Sequence, residues 1–161
     1  MTKFVPREKL AAKLKAEKKK GRTVVFANGC FDLLHVGHLR YLEGAKKAGG
    51  KKGVLVVALN TDASVSKLKG PTRPLMALKE RAELISALAC VDYVTSFGEP
   101  TAEKTLLTLR PDIQAKGTDY TKDSVPEAAL MRSIGGRIAI TGDAKDHSTT
   151  DLIKKVRKAF K

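Results

Sequence analysis

Hydrophobic positions along this 161-residue chain follow two alternating patterns. Short apolar runs without polar interruption are typical of strands buried on both faces of a parallel sheet. Between them, apolar residues three and four positions apart predict amphipathic helices. Such apolar runs predict strands at 23–27 and 53–59, and the further predicted strands are 91–96, 112–116 and 137–141. The predicted helices are 7–20, 39–48, 77–89, 101–109, 127–133 and a terminal helix opened by Ser148-Thr149-Thr150.

This order of elements predicts an α/β fold. Because strands alternate with helices, we expect a Rossmann-like doubly wound five-stranded parallel sheet with helices on both faces. Residues 1–161 are expected to form one domain, in which residues 1–21 are a basic helical extension. Folds of this kind bind ligands at the carboxyl ends of the strands, at a switch point beside the first strand.

The loop after the first predicted strand, 28–38, carries the clearest candidate chemistry. Gly29 and Gly37 lack a Cβ, so a bulky anion can approach the backbone. The free N–H groups and the dipole at the start of the following helix attract phosphate. His35 and His38 are three positions apart and can point to one side. Two imidazoles beside a phosphate site suit charge stabilisation in phosphoryl or nucleotidyl transfer.

Other interpretations of this loop are weaker. A zinc site would need further ligands, and the chain offers only His147 and no Cys-x-x-Cys motif. If the two histidines were only exposed residues without a function, Gly37 would be unexplained, since packing alone would favour alanine in a first helical turn. Cys30 and Cys90 are interpreted as reduced thiols, with Cys30 a small apolar filler in the loop.

One block of the chain resembles the H-x-G-H signature of the cytidylyltransferase-like nucleotidyltransferases: Gly29-Cys30-Phe31-Asp32 followed by His35-Val36-Gly37-His38. Further segments are similar to the bacterial D-glycero-D-manno-heptose 1-phosphate adenylyltransferases: Asn60-Thr61-Asp62-Ala63-Ser64-Val65, Leu68-Lys69-Gly70 with Arg73-Pro74, Lys116-Gly117-Thr118-Asp119-Tyr120 and Ser148-Thr149-Thr150. The first block is specific to the superfamily, and the segments together are specific to the heptose branch. The resemblance covers nearly the whole chain.

The resemblance implies an enzyme that transfers AMP from ATP to heptose 1-phosphate, giving ADP-heptose for lipopolysaccharide and releasing pyrophosphate. It implies ATP as substrate and Mg²⁺ bound through phosphates, without protein ligands. The implied catalytic residues are His35, His38 and Lys69, and the implied substrate-binding residues are Asp62, Lys69 and Arg73. The implied nucleotide-binding residues are Asn28, Gly29, Cys30, Phe31, His35, Gly37, His38, Lys116, Gly117, Asp119, Tyr120, Ser148, Thr149 and Thr150.

Several of these side chains have a purely structural alternative. Asp62 can equally cap the short helix that follows it. Asp119 can accept from a ribose hydroxyl or a base amine, or be a turn residue, and Tyr120 can be a partly buried ring. For 148–150 we expect two roles, capping the terminal helix and donating to the β- and γ-phosphates. Lys67 is interpreted as a solvated loop charge.

The nucleobase is assigned by resemblance alone. The related glycerol-phosphate cytidylyltransferases carry an arginine before the last helix, and 144–149 has none. Asp146-His147 also replaces the Gly-Cys of the heptose branch, so His147 is either a local substitution or an added phosphate contact. The alternative function is a cytidylyltransferase acting on a small polyol phosphate such as glycerol 3-phosphate.

A formal net charge of +14 favours anionic partners. The basic residues are scattered and the aromatic residues form no stacking platform, so a nucleic-acid-binding module is the weaker, non-enzymatic alternative. No apolar stretch reaches the ~18 residues of a membrane span, and the N-terminus lacks a signal-peptide h-region. We therefore expect a cytoplasmic enzyme, a homodimer, with no membrane or nucleic-acid partner. The sugar-kinase domain often fused to the heptose branch does not fit in this chain, so kinase and phosphatase steps are expected on separate proteins.

Overall fold

The apolar runs become the strands of a single sheet in the computed structural model, which describes residues 3–143 and 147–160. The strands are β1 (Thr23–Gly29), β2 (Gly53–Asn60), β3 (Tyr93–Phe97), β4 (Ile113–Lys116) and β5 (Arg137–Ile140). The helices are α1 (Arg7–Lys19), α2 (Val36–Ala48), α3 (Asp62–Lys69), α4 (Leu78–Ala87), α5 (Glu103–Leu109), α6 (Ala128–Ser133) and α7 (Thr149–Ala159). A 3₁₀ turn, Gly50–Lys52, leads into β2.

All pairs in the sheet are parallel, in the order β3-β2-β1-β4-β5. The chain moves outward from β1 through β2 to β3, then returns to the other side of β1 with β4. This reversal places a switch point between β1 and β4, where the loops that follow the two strands diverge. The predicted fold class is confirmed.

The side chains of β1 show why the sheet is covered on both faces. Val24 and Phe26 point into a core shared with α1, α5 and α6. Val25 and Ala27 point into a second core shared with α2 and α4. Because alternate residues of a strand face opposite ways, a run that is apolar throughout needs a helical layer on each side.

The amino-terminal segment belongs to this packing. Leu10 and Leu14 of α1 are fully buried, so the basic helix contributes its apolar stripe to the core. Before it, the Val5 N–H donates to the Val94 carbonyl at 2.8 Å, and the Val94 N–H donates to the Lys3 carbonyl at 2.9 Å. These bonds cover part of the exposed edge of β3.

The terminal helix differs from expectation in its burial. The spacing of Leu152, Ile153, Val156 and Phe160 predicts an apolar face for this helix, and the helix forms. Val156 is nevertheless 51% exposed and Phe160 88% exposed. Within the described residues of α7, none is fully buried. No helix in the described part of the chain is long and apolar enough to cross a membrane.

Candidate active site

A cavity of about 630 Å³ opens at the carboxyl ends of β1 and β4. Its walls are the loop after β1, the loop after β4, the residues that follow β5, the start of α7 and the segment after α3. The predicted site residues that line it are Asn28, Gly29, Cys30, Phe31, His35, Gly37, His38, Lys69, Arg73, Lys116, Gly117, Asp119, Tyr120, Ser148, Thr149 and Thr150. Asp62 does not line it. The structure therefore brings together residues that lie more than a hundred positions apart in the sequence.

The two histidines are stacked at the start of α2. His35 is its N-cap residue, and its ring centroid lies 3.8 Å from that of His38, with 23° between the planes. The Phe31 ring packs against His38, with centroids 5.2 Å apart. Stacking on one side and the phenyl ring on the other hold the His38 imidazole at the cavity wall.

Three polar atoms around the cavity are buried without a hydrogen-bond partner among the described residues. They are the Nδ1 atoms of His35 and His38 and the Oδ1 atom of Asn28. Buried polar atoms are nearly always satisfied in folded proteins, so unsatisfied ones grouped at one cavity need an explanation. All three atoms belong to residues of the cavity lining, so the unsatisfied hydrogen-bonding capacity is concentrated in this wall.

Burial keeps the histidine pair neutral in the free protein. Desolvation lowers the pKa of His38 from its ordinary 6.5 to about 4, and the adjacent His35 adds to the effect. Burial also lowers the pKa of His35, with a smaller contribution from His147. At neutral pH each imidazole therefore carries one N–H to donate and no net charge.

We expect His38 to stay neutral in the ligand-free protein from about pH 8 to about pH 5, which NMR titration of its ring protons can measure. The unfolded chain takes up the proton that native His38 resists. The free energy of unfolding should therefore fall as the pH drops from about 6.5 to about 4 and be insensitive to this group above that range. His38→Gln should remove that part of the pH dependence, and a native titration midpoint near 6.5 would contradict the burial.

The loop between β1 and α2 is held in a strained conformation. Phe31 has φ +48° and Leu33 has φ +54°, in the left-handed region that costs roughly 1–3 kcal/mol for such residues. Between them, the buried Asp32 carboxylate accepts hydrogen bonds from the N–H groups of Leu75 and Met76 at 2.9 and 3.0 Å. These bonds fix the loop against the segment that follows α3.

Asp32 makes a further bond to that segment and also ties in the start of α7. Its carboxylate accepts from Arg73 Nε at 2.6 Å, and its carbonyl accepts from Thr149 Oγ1 at 3.0 Å. Burial acts to raise the pKa of Asp32, but the hydrogen bonds from Leu75, Met76 and Arg73 outweigh it and leave the pKa below its ordinary value. An ionised Asp32 therefore joins three walls of the cavity.

Most cations at the cavity are already paired. Arg73 pairs with Asp32, and Lys116 Nζ lies 3.1 Å from Glu127 Oε2, with the Tyr120 ring centroid 5.5 Å away. Lys69 makes no ion pair within the described residues. The cavity thus holds fixed positive charge whose field is partly cancelled by buried carboxylates.

Asp62 lies outside the cavity lining. Its Oδ1 accepts from Arg81 Nη2 at 2.7 Å. The helix cap is Thr61, whose side chain accepts from the Ser64 N–H at 3.4 Å, so the capping alternative for Asp62 is wrong. Asp62 sits one residue inside the helix, and its charge is engaged by the buried guanidinium.

Arg81 was not predicted as a site residue, and it organises the floor below the cavity. It is fully buried on α4 and donates to the carbonyls of Cys30 at 2.6 Å and Asn60 at 2.8 Å. It also donates to the Met76 carbonyl at 3.0 Å. One side chain therefore links the ends of β1 and β2 to the segment after α3.

Other lining residues were also missed as members of the site. They are Asp32, Tyr41, Asn60, Leu68, Thr118, Thr141, Gly142 and Asp143, while His147, for which a phosphate contact was one of two interpretations, also lines the cavity. Position was the signal for some of them, because Asn60 ends β2 and Thr141 follows β5 at the same sheet edge. Tyr41 lies on α2, and its hydroxyl donates to the Ala115 carbonyl at 2.8 Å.

A parallel sheet with a polar cavity at its switch point and two helix amino ends beside it defines a nucleotide-binding α/β protein. The model of one enzyme family, described as cytidylyltransferase-like, matches residues 26–155. The chain belongs to this family of nucleotidyltransferases.

Similar proteins agree with this assignment. The bifunctional protein HldE of Syntrophotalea carbinolica is 48% identical over 150 residues, which are 93% of this chain and 30% of that protein. HldE of Geobacter sulfurreducens is 47% identical over 151 residues, 94% of this chain and 30% of that protein. The chain thus spans about 30% of the length of these relatives. The crystal structure of a lipopolysaccharide core biosynthesis protein from Thermoplasma volcanium superposes with a TM-score of 0.62 at 31% identity, covering 78% of this chain and 100% of that one.

Proposed function

We propose that this chain is an adenylyltransferase that converts ATP and D-glycero-D-manno-heptose 1-phosphate into ADP-heptose and pyrophosphate. The observation that carries the proposal is the stacked His35–His38 pair with its unpartnered Nδ1 atoms at the cavity. Similarity to HldE proteins and to a lipopolysaccharide core biosynthesis protein supports the heptose acceptor. ADP-heptose would then serve lipopolysaccharide synthesis.

In the proposed reaction an oxygen of the sugar 1-phosphate attacks the α-phosphorus of ATP. The new bond forms between that oxygen and the α-phosphorus, and the bond from the α-phosphorus to the bridging oxygen of the β-phosphate breaks. Pyrophosphate leaves with the electron pair. The protein needs no nucleophile of its own, so its task is to position the reactants and stabilise charge.

His35 and His38 are proposed to donate hydrogen bonds to phosphate oxygens as charge moves toward the leaving pyrophosphate. Neutral imidazoles, each with one N–H, can do this without a prior proton transfer. Lys69 would add a positive charge, because no carboxylate of the described residues pairs with it. Arg73 lines the same cavity, and Asp32 fixes its guanidinium in place.

The nucleotide is proposed to lie across the switch point. Lys116, Gly117, Asp119 and Tyr120 would surround the ribose and base, beside the phosphate loop of Asn28, Gly29, Cys30, Phe31 and Gly37. Residues 148–150 would face the β- and γ-phosphates. The Ser148 hydroxyl accepts from the Asp151 N–H at 3.1 Å, so its capping role is present. The unbonded N–H groups of the first turn of α7 then remain to bind phosphate.

Mg²⁺ is proposed to bind through the phosphates of the substrates. Within the described residues, no group of three or more His, Cys, Asp or Glu side chains is arranged to hold a metal ion. The cavity carboxylate of Asp32 is already occupied by Arg73 and two backbone N–H groups. When bound, the ion would neutralise phosphate charge.

A pyrophosphate-release screen tests the proposal. Each of ATP, CTP, GTP and UTP is combined with heptose 1-phosphate and with glycerol 3-phosphate. We expect ATP with heptose 1-phosphate to exceed CTP with glycerol 3-phosphate by at least about 10²-fold in kcat/KM, because the buried polar groups of the site would lack partners on the wrong acceptor. Preference for CTP and glycerol 3-phosphate would favour the cytidylyltransferase alternative.

The same screen separates the enzyme from the non-enzymatic alternative. Absence of pyrophosphate release with every pair, together with nucleic-acid binding that weakens steeply with salt, would favour the non-enzymatic alternative. A homodimer and a cytoplasmic location are also proposed, and sedimentation of the purified chain measures the first of them.

A further inference from the structure

We propose that His147 is a further phosphate-binding residue of this cavity, which gains a proton and a positive charge when the terminal phosphates of the nucleotide bind. The inference rests on the proposed function, because it takes a nucleoside triphosphate as the ligand. It concerns a residue that departs from the heptose pattern in this chain.

The position of His147 is the first support. Its ring centroid lies 6.4 Å from that of His35, and the residue lines the cavity. It directly precedes Ser148, the N-cap residue of α7. A β-carbon built on Gly37 would lie only 3.4 Å from its Cβ atom. His147 therefore stands where the amino ends of α2 and α7 meet, beside the expected site of the β- and γ-phosphates.

The charge balance of the cavity is the second support. A triphosphate brings several negative charges, and Arg73 and Lys116 are each paired with a carboxylate. Burial holds the imidazoles of His35 and His38 neutral. Lys69 also lines the cavity, and it makes no ion pair in the described part of the chain. A side chain that gains a positive charge at this wall of the cavity would balance part of the triphosphate charge that the other cations leave unbalanced.

His147 is suited to that role because it is exposed at the wall of the cavity, where a bound phosphate can reach it. Histidine is the side chain that ordinarily changes charge near neutral pH. Among the described residues, the titratable groups whose charge acts together with that of His147 include His35 and the Asp143 carboxylate, which pairs with Arg40. A phosphate bound between α2 and α7 would add the negative charge that favours the imidazolium.

The test is calorimetric binding of inorganic tripolyphosphate and of ATP to the full chain at about pH 6 and about pH 8, for the wild type and His147→Asn. We expect His147→Asn to weaken binding roughly tenfold at the lower pH and less than about twofold at the higher pH. His147→Lys, which keeps a positive charge at both values, should bind tightly at both. The wild type should take up protons on binding, measured from the dependence of the heat on buffer ionisation, and His147→Asn should take up fewer.

Lys155→Gln is the matched control, because it removes an exposed cation of α7 that does not line the cavity. It should change affinity equally and slightly at both pH values. Equal binding by His147→Asn and wild type at the lower pH would overturn the role of His147. If that variant also released pyrophosphate normally, the proposed function would stand while this inference failed. A wild type that binds neither ligand would overturn the inference, and the pyrophosphate screen would then decide the proposed function separately.

Discussion

Replacing His38 with alanine should lower kcat by about 10²- to 10³-fold and change KM for ATP by less than about threefold. The imidazole is held at the cavity wall by His35 and Phe31, with its Nδ1 atom buried and unpartnered among the described residues. A donor fixed before the substrate arrives stabilises developing charge without reorganisation, so its loss acts mainly on the transition state. Steady-state pyrophosphate release with ATP and heptose 1-phosphate measures the effect.

Leu107→Ala is the control for this experiment, since Leu107 is 51% exposed on α5, away from the cavity lining. It should leave kcat unchanged. Urea unfolding of both variants checks that the fold is intact. An unchanged kcat in His38→Ala would remove His38 from the mechanism, and a large rise in KM alone would reassign it to ground-state binding.

Replacing Arg81 with methionine should lower the free energy of unfolding by about 3–5 kcal/mol. The substitution keeps the volume similar, but it leaves the carbonyls of Cys30 and Asn60 without their donor. The Asp62 carboxylate also loses its partner. The guanidinium is fully buried, so solvent does not replace its bonds to the two carbonyls without opening the junction between β1, β2 and α4, whereas the half-exposed Asp62 carboxylate can be solvated.

Urea denaturation at neutral pH measures this loss, with Arg132→Met as the control. Arg132 is exposed on α6, so its replacement should stay within about 0.5 kcal/mol of the wild type. Because Cys30 begins the loop that carries the histidines, we also expect Arg81→Met to reduce pyrophosphate release. Equal unfolding midpoints for the two variants would show that the buried network contributes no net stability.

The fold was predictable because each strand and helix has a recognisable pattern of apolar residues within its own stretch of sequence. Runs such as 24–27 and 54–59 are apolar at every position, which is typical of a strand covered on both faces. Their alternation with helical spacing then fixes a parallel sheet. The terminal helix shows the limit of this reasoning, since its pattern predicted an apolar face, whereas Val156 and Phe160 are exposed.

The candidate site was predictable where chemistry follows directly after a strand. Asn28 and Lys116 lie at the carboxyl ends of β1 and β4, and the histidine pair lies at the start of the helix that follows β1. Arg81 and Asp32 were missed as members of the site because their roles depend on partners far along the chain. Arg81 occupies a position that the helical pattern of α4 assigns to its apolar face. That position in the pattern indicates in the sequence that the charge is buried. Nothing local to Asp32 indicates that it accepts from Leu75 and Met76.

The hydrogen bond from Thr149 to the Asp32 carbonyl joins residues 117 positions apart. During synthesis the ribosome must add all of those residues before the phosphate loop can meet the helix that completes its enclosure. The sheet, whose strands end at Ile140, can pair before that point. A nascent chain would therefore form its sheet first and complete the wall of the cavity only when α7 emerges.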